Sequence, residues 1–390
     1  MSSPEPAAGD GHQHGDHHHG HHHHGEHAAA GDDETPRPRK QEQEEAGTDV
    51  AEVAPGIIRT QLPVNLPGLG HVNCYVMEDE RGIAVVDPGL PGEDSWNALN
   101  DRLGRAGYRA EDIHTVVITH SHFDHFGGAT RIHDVTGADI LTHESFRTAW
   151  QRSELDEHDD TDSLELAEEE AQERELERIF SERLPWGTPR TRPPQAEIDK
   201  FRRMGRFSAE WHRTPEPSIA VKDSQVVRLA RRDWVAMHTP GHTNDHLCLF
   251  DPEHGVMFTG DHVLPTITPH IGGISPQPDP LAEFFSSLHR MRDVEGVSVA
   301  LPAHGHPFAD LAGRAETIVE HHQERLDTIR AATHRVPAGT VTEYMRILFR
   351  ERAWGDMAES ETYAHLEHLR CLGELQRSDP DGLAHYTPVG

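Results

Sequence analysis

The chain has few of the residues that disulfide-stabilised or membrane-spanning proteins need. Its 390 residues include three cysteines, Cys74, Cys248 and Cys371, and no two of them are close in the sequence. This spacing predicts neither a disulfide framework nor a thiolate zinc site. No apolar run approaches the roughly 20 residues that span a bilayer, and the N-terminus lacks the basic and then apolar stretch of a signal peptide. We therefore predict a cytoplasmic protein without a membrane partner.

Positive charge is also scarce. The chain has 36 Lys and Arg residues against 67 Asp and Glu residues, which gives a formal net charge of −31. A polyanion would be repelled by such a protein unless a local basic groove existed. Nucleic acid is therefore disfavoured as a partner. The stretch around Arg202, Arg203 and Arg206 is where such a groove could form.

Histidine, in contrast, is abundant, with 34 residues, of which ten lie between His12 and His27. Residues 1–50 have too few large apolar side chains to bury a core, so we predict a disordered, acidic, His-rich tail there. Such a tract binds divalent metal ions loosely. Two interpretations remain open: a tail that captures metal for the active site, or a tolerated low-complexity segment.

A second group of histidines directly follows an apolar run that predicts a buried strand over residues 113–119. His120, His122, Asp124 and His125 place four metal-binding side chains within six residues. Alternate residues of a strand share a face, so the two imidazoles of His120 and His122 leave the strand on the same side. Imidazole mixed with carboxylate is typical of a hydrolytic divalent-metal site. The sequence therefore predicts a metal centre here.

The motif His-x-His-x-Asp-His after a strand resembles that of the metallo-β-lactamase superfamily. Four other residues fit that family's pattern in order: Asp87, His242, Asp261 and His304. The resemblance spans roughly residues 53–310, where short apolar runs predict strands, with helices between them. It implies an α/β fold of four layers, αββα, in which two sheets pack face to face with helices outside.

The resemblance also implies a set of metal ligands and a mechanism. Two zinc ions are expected, although iron or manganese remains open, and a metal-bound hydroxide would be the nucleophile. Asp124 would in addition orient that hydroxide as a catalytic residue. The ligands would be His120, His122 and His242 for the first ion, Asp124, His125 and His304 for the second, and Asp261 as the bridge between them.

The domain organisation that we predict has three parts. The tail, residues 1–50, precedes a catalytic domain, residues 51–310, which contains an acidic helical insertion at residues 151–195. Residues 151–184 of that insertion hold 14 acidic and 4 basic side chains, which fits either a lid or a solvated helix. Residues 311–390 predict three helices, at residues 312–335, 340–349 and 362–372, followed by a hairpin, which look like a winged-helix domain.

The C-terminal domain resembles that of the superfamily branch typified by the endoribonuclease β-lactamase-like protein 2 and by thioesterase-like enzymes. With 9 acidic and 5 basic residues over residues 336–390, it lacks the positive charge that is typical of a domain that binds nucleic acid. We interpret it as a wall over the active site or as a contact between copies in a homo-oligomer.

Three classes of function remain open. The first, which we favour, is a hydrolase of an ester, thioester or lactone bond in a small-molecule acyl substrate, with a glyoxalase II-like thioester hydrolase as a variant. The second is a metal-dependent endoribonuclease or phosphodiesterase. The third is a non-catalytic metal-binding or regulatory protein. His270, a short loop after Asp261, either faces the pocket or lies exposed.

Overall fold

The computed structural model describes residues 40–66, 68–148, 168–206, 208 and 210–389. Most of the predicted tail and residues 151–167 of the predicted acidic insertion lie outside the described residues. Residues 40–50, which we predicted as tail, pack on the folded domain. Glu42 is fully buried there, and its carboxylate accepts hydrogen bonds from the backbone N–H groups of Thr266 and Ile267.

The first sheet has seven strands, which follow one another in sequence order across the sheet. The first four pair antiparallel, and the remaining pairs, from β4–β5 onward, are parallel. The strands are β1 (Ala51–Ala54), β2 (Ile57–Leu66), β3 (Leu69–Asp79), β4 (Gly82–Val86), β5 (Ile113–Val117), β6 (Asp139–His143) and β7 (Ile219–Val221).

The second sheet has five strands in the order β12-β11-β10-β9-β8. Its pairs are antiparallel except β11–β12, which is parallel. These strands are β8 (Val226–Leu229), β9 (Arg232–His238), β10 (Leu247–Asp251), β11 (Val256–Gly260) and β12 (Val299–Pro302).

Helices cover the outer faces of both sheets. In order they are α1 (Glu93–Ala106), α2 (Phe123–Phe126), α3 (Ala129–Thr136), α4 (Glu168–Ser181), α5 (Gln195–Arg203), α6 (Pro280–Arg292), α7 (Leu311–Ala332), α8 (Val341–Leu348) and α9 (Asp356–Cys371). None of the helices in the described part of the chain combines the length and the apolar character that crossing a membrane requires.

Three apolar clusters give the layers their order. One holds Leu99 of α1 and Ile132 of α3 against the first sheet, and a second, with Trp234 and Phe258, fills the space between the sheets. The third holds Leu288 of α6 with the far face of the second sheet. Burial of each large apolar side chain contributes about 1.5–3 kcal/mol. The predicted αββα order is therefore confirmed.

The C-terminal part comprises α7, α8, α9 and a three-stranded sheet of order β13-β15-β14. Its strands are β13 (Gly339–Thr340), β14 (Leu375–Ser378) and β15 (His385–Pro388). Helix α9 begins at Asp356, six residues before the helix that we predicted at residue 362. The predicted start lies too far along the chain because the buried positions in the first turns of α9 include the polar residues Glu359 and Ser360. These residues interrupt the apolar periodicity on which the prediction relied. The winged-helix assignment stays a prediction.

Candidate metal centre

The seven residues that we predicted as metal ligands lie just beyond the ends of strands, in the segment between β5 and α2, or in the short helix α2 itself, which holds Asp124 and His125. Asp261 directly follows β11, His304 follows β12 by one residue, and His242 lies in the loop after β9. In three dimensions their donor atoms form two groups, each with members within 4.8 Å of one another. The groups are His120, His122, His242 and Asp261, and Asp124, His125 and His304.

The first group centres on the ring of His122. Its Nδ1 atom lies 2.9 Å from Nε2 of His120 and 3.2 Å from Nε2 of His242. His120 is fully buried, whereas His122 is exposed. The centre therefore opens to solvent on the His122 side, which is where a substrate would approach.

Asp261 connects the first group with the second. Its Oδ2 atom lies 3.5 Å from Nε2 of His242 and 3.6 Å from Nε2 of His125, and its Oδ1 atom lies 3.3 Å from Nε2 of His304. Asp124 Oδ2 in turn lies 3.5 Å from Nε2 of His304. The carboxylate of Asp261 thus lies close to potential ligand atoms of both groups, and its role as a bridge stays a prediction.

The outer ring nitrogens of three histidines already have acceptors. Nδ1–H of His242 donates to the carbonyl of His270 at 2.8 Å, and that of His304 donates to the carbonyl of His71 at 2.5 Å. Nδ1–H of His125 donates to Asp87 Oδ2 at 2.9 Å. Each neutral ring then presents an Nε2 lone pair to the interior, as metal-binding histidines do.

The inner atoms, in contrast, lack partners. Four buried atoms of the described residues in the centre have no hydrogen-bond partner: Asp124 Oδ2, His125 Nε2, Asp261 Oδ1 and His304 Nε2. A buried polar atom without a partner costs about 1–3 kcal/mol. All four converge on the same space, and with both rings neutral all four are acceptors, so the residues present fit divalent cations.

Asp87 holds the loop that carries the motif. It adopts a φ of 55°, a conformation that aspartate tolerates better than most residues. Its carboxylate accepts hydrogen bonds from the backbone N–H and the hydroxyl of Thr119, at 2.9 and 2.8 Å. The Thr119 oxygen then accepts from Nδ1–H of His120 at 3.0 Å. A single side chain therefore orients both His120 and His125.

The electrostatics of the centre favour a cation. Burial lowers the pKa of His120 well below its usual value, so its lone pairs are available at neutral pH. Burial also opposes charge on His125, but the carboxylates of Asp124, Asp261 and Asp87 outweigh it and raise the pKa of His125 well above 6.5. The accumulated negative charge around this imidazole is what bound metal ions would neutralise.

His270 is connected to the C-terminal helices. Its ring is partly buried, and its Nδ1 atom lies 3.6 Å from Oε2 of Glu361 on α9. The other carboxylate oxygen of Glu361 accepts a hydrogen bond from Arg325 of α7 at 2.6 Å. No sequence pattern selects Glu361 and Arg325, because charged residues are frequent throughout both helices.

Glu361 also belongs to a third group of potential ligands, with His322 and His365. Nδ1 of His322 lies 3.1 Å from Nε2 of His365, and Nδ1–H of His365 donates to the carbonyl of Glu361. Here, however, the guanidinium of Arg325 already neutralises the carboxylate and would repel a metal ion. We therefore interpret this group, with Arg325, as a buried ion-pair network, and refer to it below as the Glu361 network.

The fold and the site agree with the comparisons with known proteins. Residues 67–306 match the Metallo-beta-lactamase superfamily. A metallo-beta-lactamase family protein from Thermus thermophilus has a similar structure, with a TM-score of 0.68 and 28% identity over 87% of this chain and 100% of that one. The chain belongs to the metallo-beta-lactamase superfamily, as its motifs predicted.

Relatives in this superfamily include hydrolases. The chain is 22% identical to a probable metallo-hydrolase, YqjP, of Bacillus subtilis (strain 168), over 80% of this chain and 92% of that protein. It is 33% identical over 116 residues to an atrochrysone carboxyl ACP thioesterase of Claviceps purpurea (strain 20.1). That match covers 30% of this chain and spans about a third, 35%, of the length of the fungal protein. These findings place the chain in the class of metal-dependent hydrolases.

Proposed function

We propose that the protein is a dinuclear zinc hydrolase that cleaves an ester, thioester or lactone bond in a small-molecule substrate. The first ion would be held by His120, His122 and His242, the second by Asp124, His125 and His304, and Asp261 would bridge them. The observation that carries the proposal is the convergence of two donor groups on Asp261, with four buried acceptor atoms that have no partner.

When bound, the two ions would activate a water molecule and polarise the carbonyl of the substrate. The chain's own residues supply orientation and proton transfer. Asp124, whose Oδ2 atom has no hydrogen-bond partner, would hold the attacking water and accept its proton. Asp87 and the His270 carbonyl keep the imidazoles of His125 and His242 in the tautomer that directs Nε2 inward.

A nucleophilic side chain of the protein is not required for this reaction. Hydrolysis adds water across the acyl bond and releases a carboxylic acid together with an alcohol or a thiol. Cys248 is fully buried, and burial raises the pKa of its thiol to about 12. It is therefore a poor nucleophile at neutral pH.

Both the similarity to a thioesterase and the net negative charge of the chain favour acyl substrates over RNA. A thioesterase is among the similar proteins, and the net charge of −31 opposes binding of a polyanion. The stretch that we considered for a basic groove does not offer three free cations, because Arg202 pairs with Glu173 at 3.1 Å and with Asp199 at 3.7 Å. The endoribonuclease alternative rests on the resemblance of the C-terminal part alone.

A panel of activated thioesters, esters and lactones, assayed beside single-stranded RNA, tests the proposal on the full-length protein. We expect hydrolysis of an acyl substrate that is abolished by chelation, restored by zinc, and lost in His122→Ala. His289→Ala is the matched control, since His289 is exposed on α6, away from the donor groups.

A glyoxalase II-like enzyme would act on the thioester arm of the same panel. Efficient metal-dependent cleavage of RNA without any acyl turnover would refute the proposal and establish the endoribonuclease alternative.

A further inference from the structure

Arg206, which follows the C-terminal end of α5, has an unusual environment for an arginine. Its guanidinium carbon lies 4.4 Å from the ring centre of Phe201 and 5.3 Å from that of Trp211, and the residue is half-buried. Of the carboxylates that the structure describes, none forms an ion pair with it. Arg202, on α5 itself, pairs with both Glu173 and Asp199.

One of the aromatic rings that pack against Arg206, that of Trp211, also contacts the segment that carries the metal-binding motif. The ring of Trp211 lies 5.8 Å from that of Phe123, and Phe123 stands between His122 and Asp124 in the motif. Burial lowers the pKa of Arg206, while the negative charges of Asp124 and Glu197 raise it. Since a guanidinium remains protonated at neutral pH, Arg206 places a fixed positive charge close enough to Asp124 for the two charges to interact.

Such a charge is suited to bind an anion. A guanidinium presents a planar set of N–H donors that fits carboxylate or phosphate oxygens in pairs, and partial burial strengthens such contacts. Its aromatic neighbours hold the guanidinium plane in place. Neither ring carries a negative charge that would compete with an anionic ligand. The net charge of −31 opposes the approach of an anionic substrate, and a cation beside the centre would offset this repulsion locally.

A cavity adjoins Trp211, one of the two rings that pack against Arg206. It has a volume of about 380 Å³, and its lining combines Trp211 with apolar residues and with the acidic residues Glu93, Asp94 and Glu210. This volume lies within the range of about 300–1,000 Å³ that small-molecule sites occupy.

We propose that Arg206 is an anion-binding residue beside the metal centre, and that the preferred acyl substrates carry a carboxylate or phosphate group. This inference rests on the proposed function, which it deepens by naming the substrate class. The anion could belong to the acyl group, as a terminal carboxylate, or to the leaving group, as the phosphate of a phosphopantetheine thiol.

Two matched pairs of thioesters separate these sources in the full-length holoenzyme. The first pair is glutaryl and pentanoyl N-acetylcysteamine, which differ by a terminal carboxylate. The second is pentanoyl phosphopantetheine and pentanoyl pantetheine, which differ by a phosphate. We expect a preference for the anionic member of one pair over its neutral counterpart, expressed mainly in KM, that Arg206→Gln reduces by about 10- to 100-fold.

Three further variants control for effects on folding. Lys200→Gln removes an exposed positive charge from α5 and should keep the preference. Arg206→Lys keeps the charge but not the planar fork, so it should restore part of the preference. Arg206→Met keeps the contact with the aromatic rings, and circular dichroism should be unchanged in it while the preference is lost.

The results separate failure of this inference from failure of the proposed function. If the protein hydrolyses thioesters but Arg206→Gln keeps any preference intact, or the parent has none, the anion site is refuted and the hydrolase stands. If no thioester is hydrolysed, the proposed function fails, and calorimetric binding of glutarate and of inorganic phosphate tests Arg206 by itself. Equal affinity in the parent and Arg206→Gln would then refute the anion site.

Discussion

The candidate metal centre and the Glu361 network are built from the same kinds of side chain, yet their chemistry differs. Both combine buried imidazoles with carboxylates. In the metal centre, Asp124, Asp261 and His304 present atoms without partners, and no guanidinium pairs with these carboxylates in the described part of the chain. In the Glu361 network, Arg325 donates to the carboxylate at 2.6 Å. The two sites contain the same types of histidine and carboxylate side chains. What distinguishes the structural ion pair from the candidate metal site is the guanidinium that neutralises its carboxylate.

Removal of the bridging carboxylate should produce the largest effect. We expect Asp261→Ala to lower kcat by orders of magnitude, because this side chain reaches donors of both groups and its loss would uncouple two metal ions. Metal content, measured in a full-length background with the ten tail histidines replaced by asparagine, should fall from two ions per chain. The thermal midpoint should change little when parent and variant are both freed of metal. Near-normal turnover in Asp261→Ala would show that the bridge is wrongly assigned.

Glu361→Gln should affect stability rather than metal content. The side chains of Glu361 and Arg325 are 12% and 19% exposed, and loss of one partner leaves the other charge buried and uncompensated. We expect the free energy of unfolding to fall by about 3 kcal/mol, with unchanged metal stoichiometry. Denaturant unfolding measures the first quantity and elemental analysis the second.

Arg325→Met combined with Glu361→Leu serves as the control for Glu361→Gln, since removal of both charges should restore part of the stability. Loss of a metal ion in Glu361→Gln alone would mean that the network binds metal after all.

The effect that is smallest per pH unit concerns the response of the Glu361 network to acid. Burial lowers the pKa of His365 to about 4 from its ordinary 6.5. Between these values the unfolded chain binds a proton at this residue and the folded chain does not, so stability rises with pH across that window and falls as pH is lowered. The contribution of His365 is about 1.4 kcal/mol per pH unit. His365→Gln should flatten the unfolding free energy between pH 6.5 and 4, and an unchanged slope would contradict this assignment.

The sequence was most informative about the metal centre and least informative about its surroundings. His120, His122, Asp124 and His125 lie within one motif, and the structure brings Asp261, His242 and His304 to them from three other strand ends. The positions were predictable because a strand fixes the direction in which its last residues point. Their role as ligands stays a prediction that metal analysis will test.

Arg206, Glu361 and Arg325 were not distinguishable in the same way. Arg206 was only part of a supposed basic stretch, although its neighbour Arg202 is paired with carboxylates and Arg206, among the described residues, is not. Glu361 and Arg325 lie on helices with many charges, and only the packing of α7 against α9 makes one pair buried. Whether a charge is compensated depends on contacts between distant segments, which no local pattern records.

The sequence by itself determined the family, the αββα order of layers and the residues that meet at the metal centre. Periodicity and strand-end motifs are local properties, so they can be identified from the sequence without the tertiary structure. Only the tertiary structure decided that Glu42 is buried against Thr266, that Glu361 is neutralised by Arg325, and that Arg206 lies beside Trp211 with no carboxylate partner among the described residues. These outcomes depend on burial and on counter-charges brought from elsewhere in the chain, which are set when the layers pack.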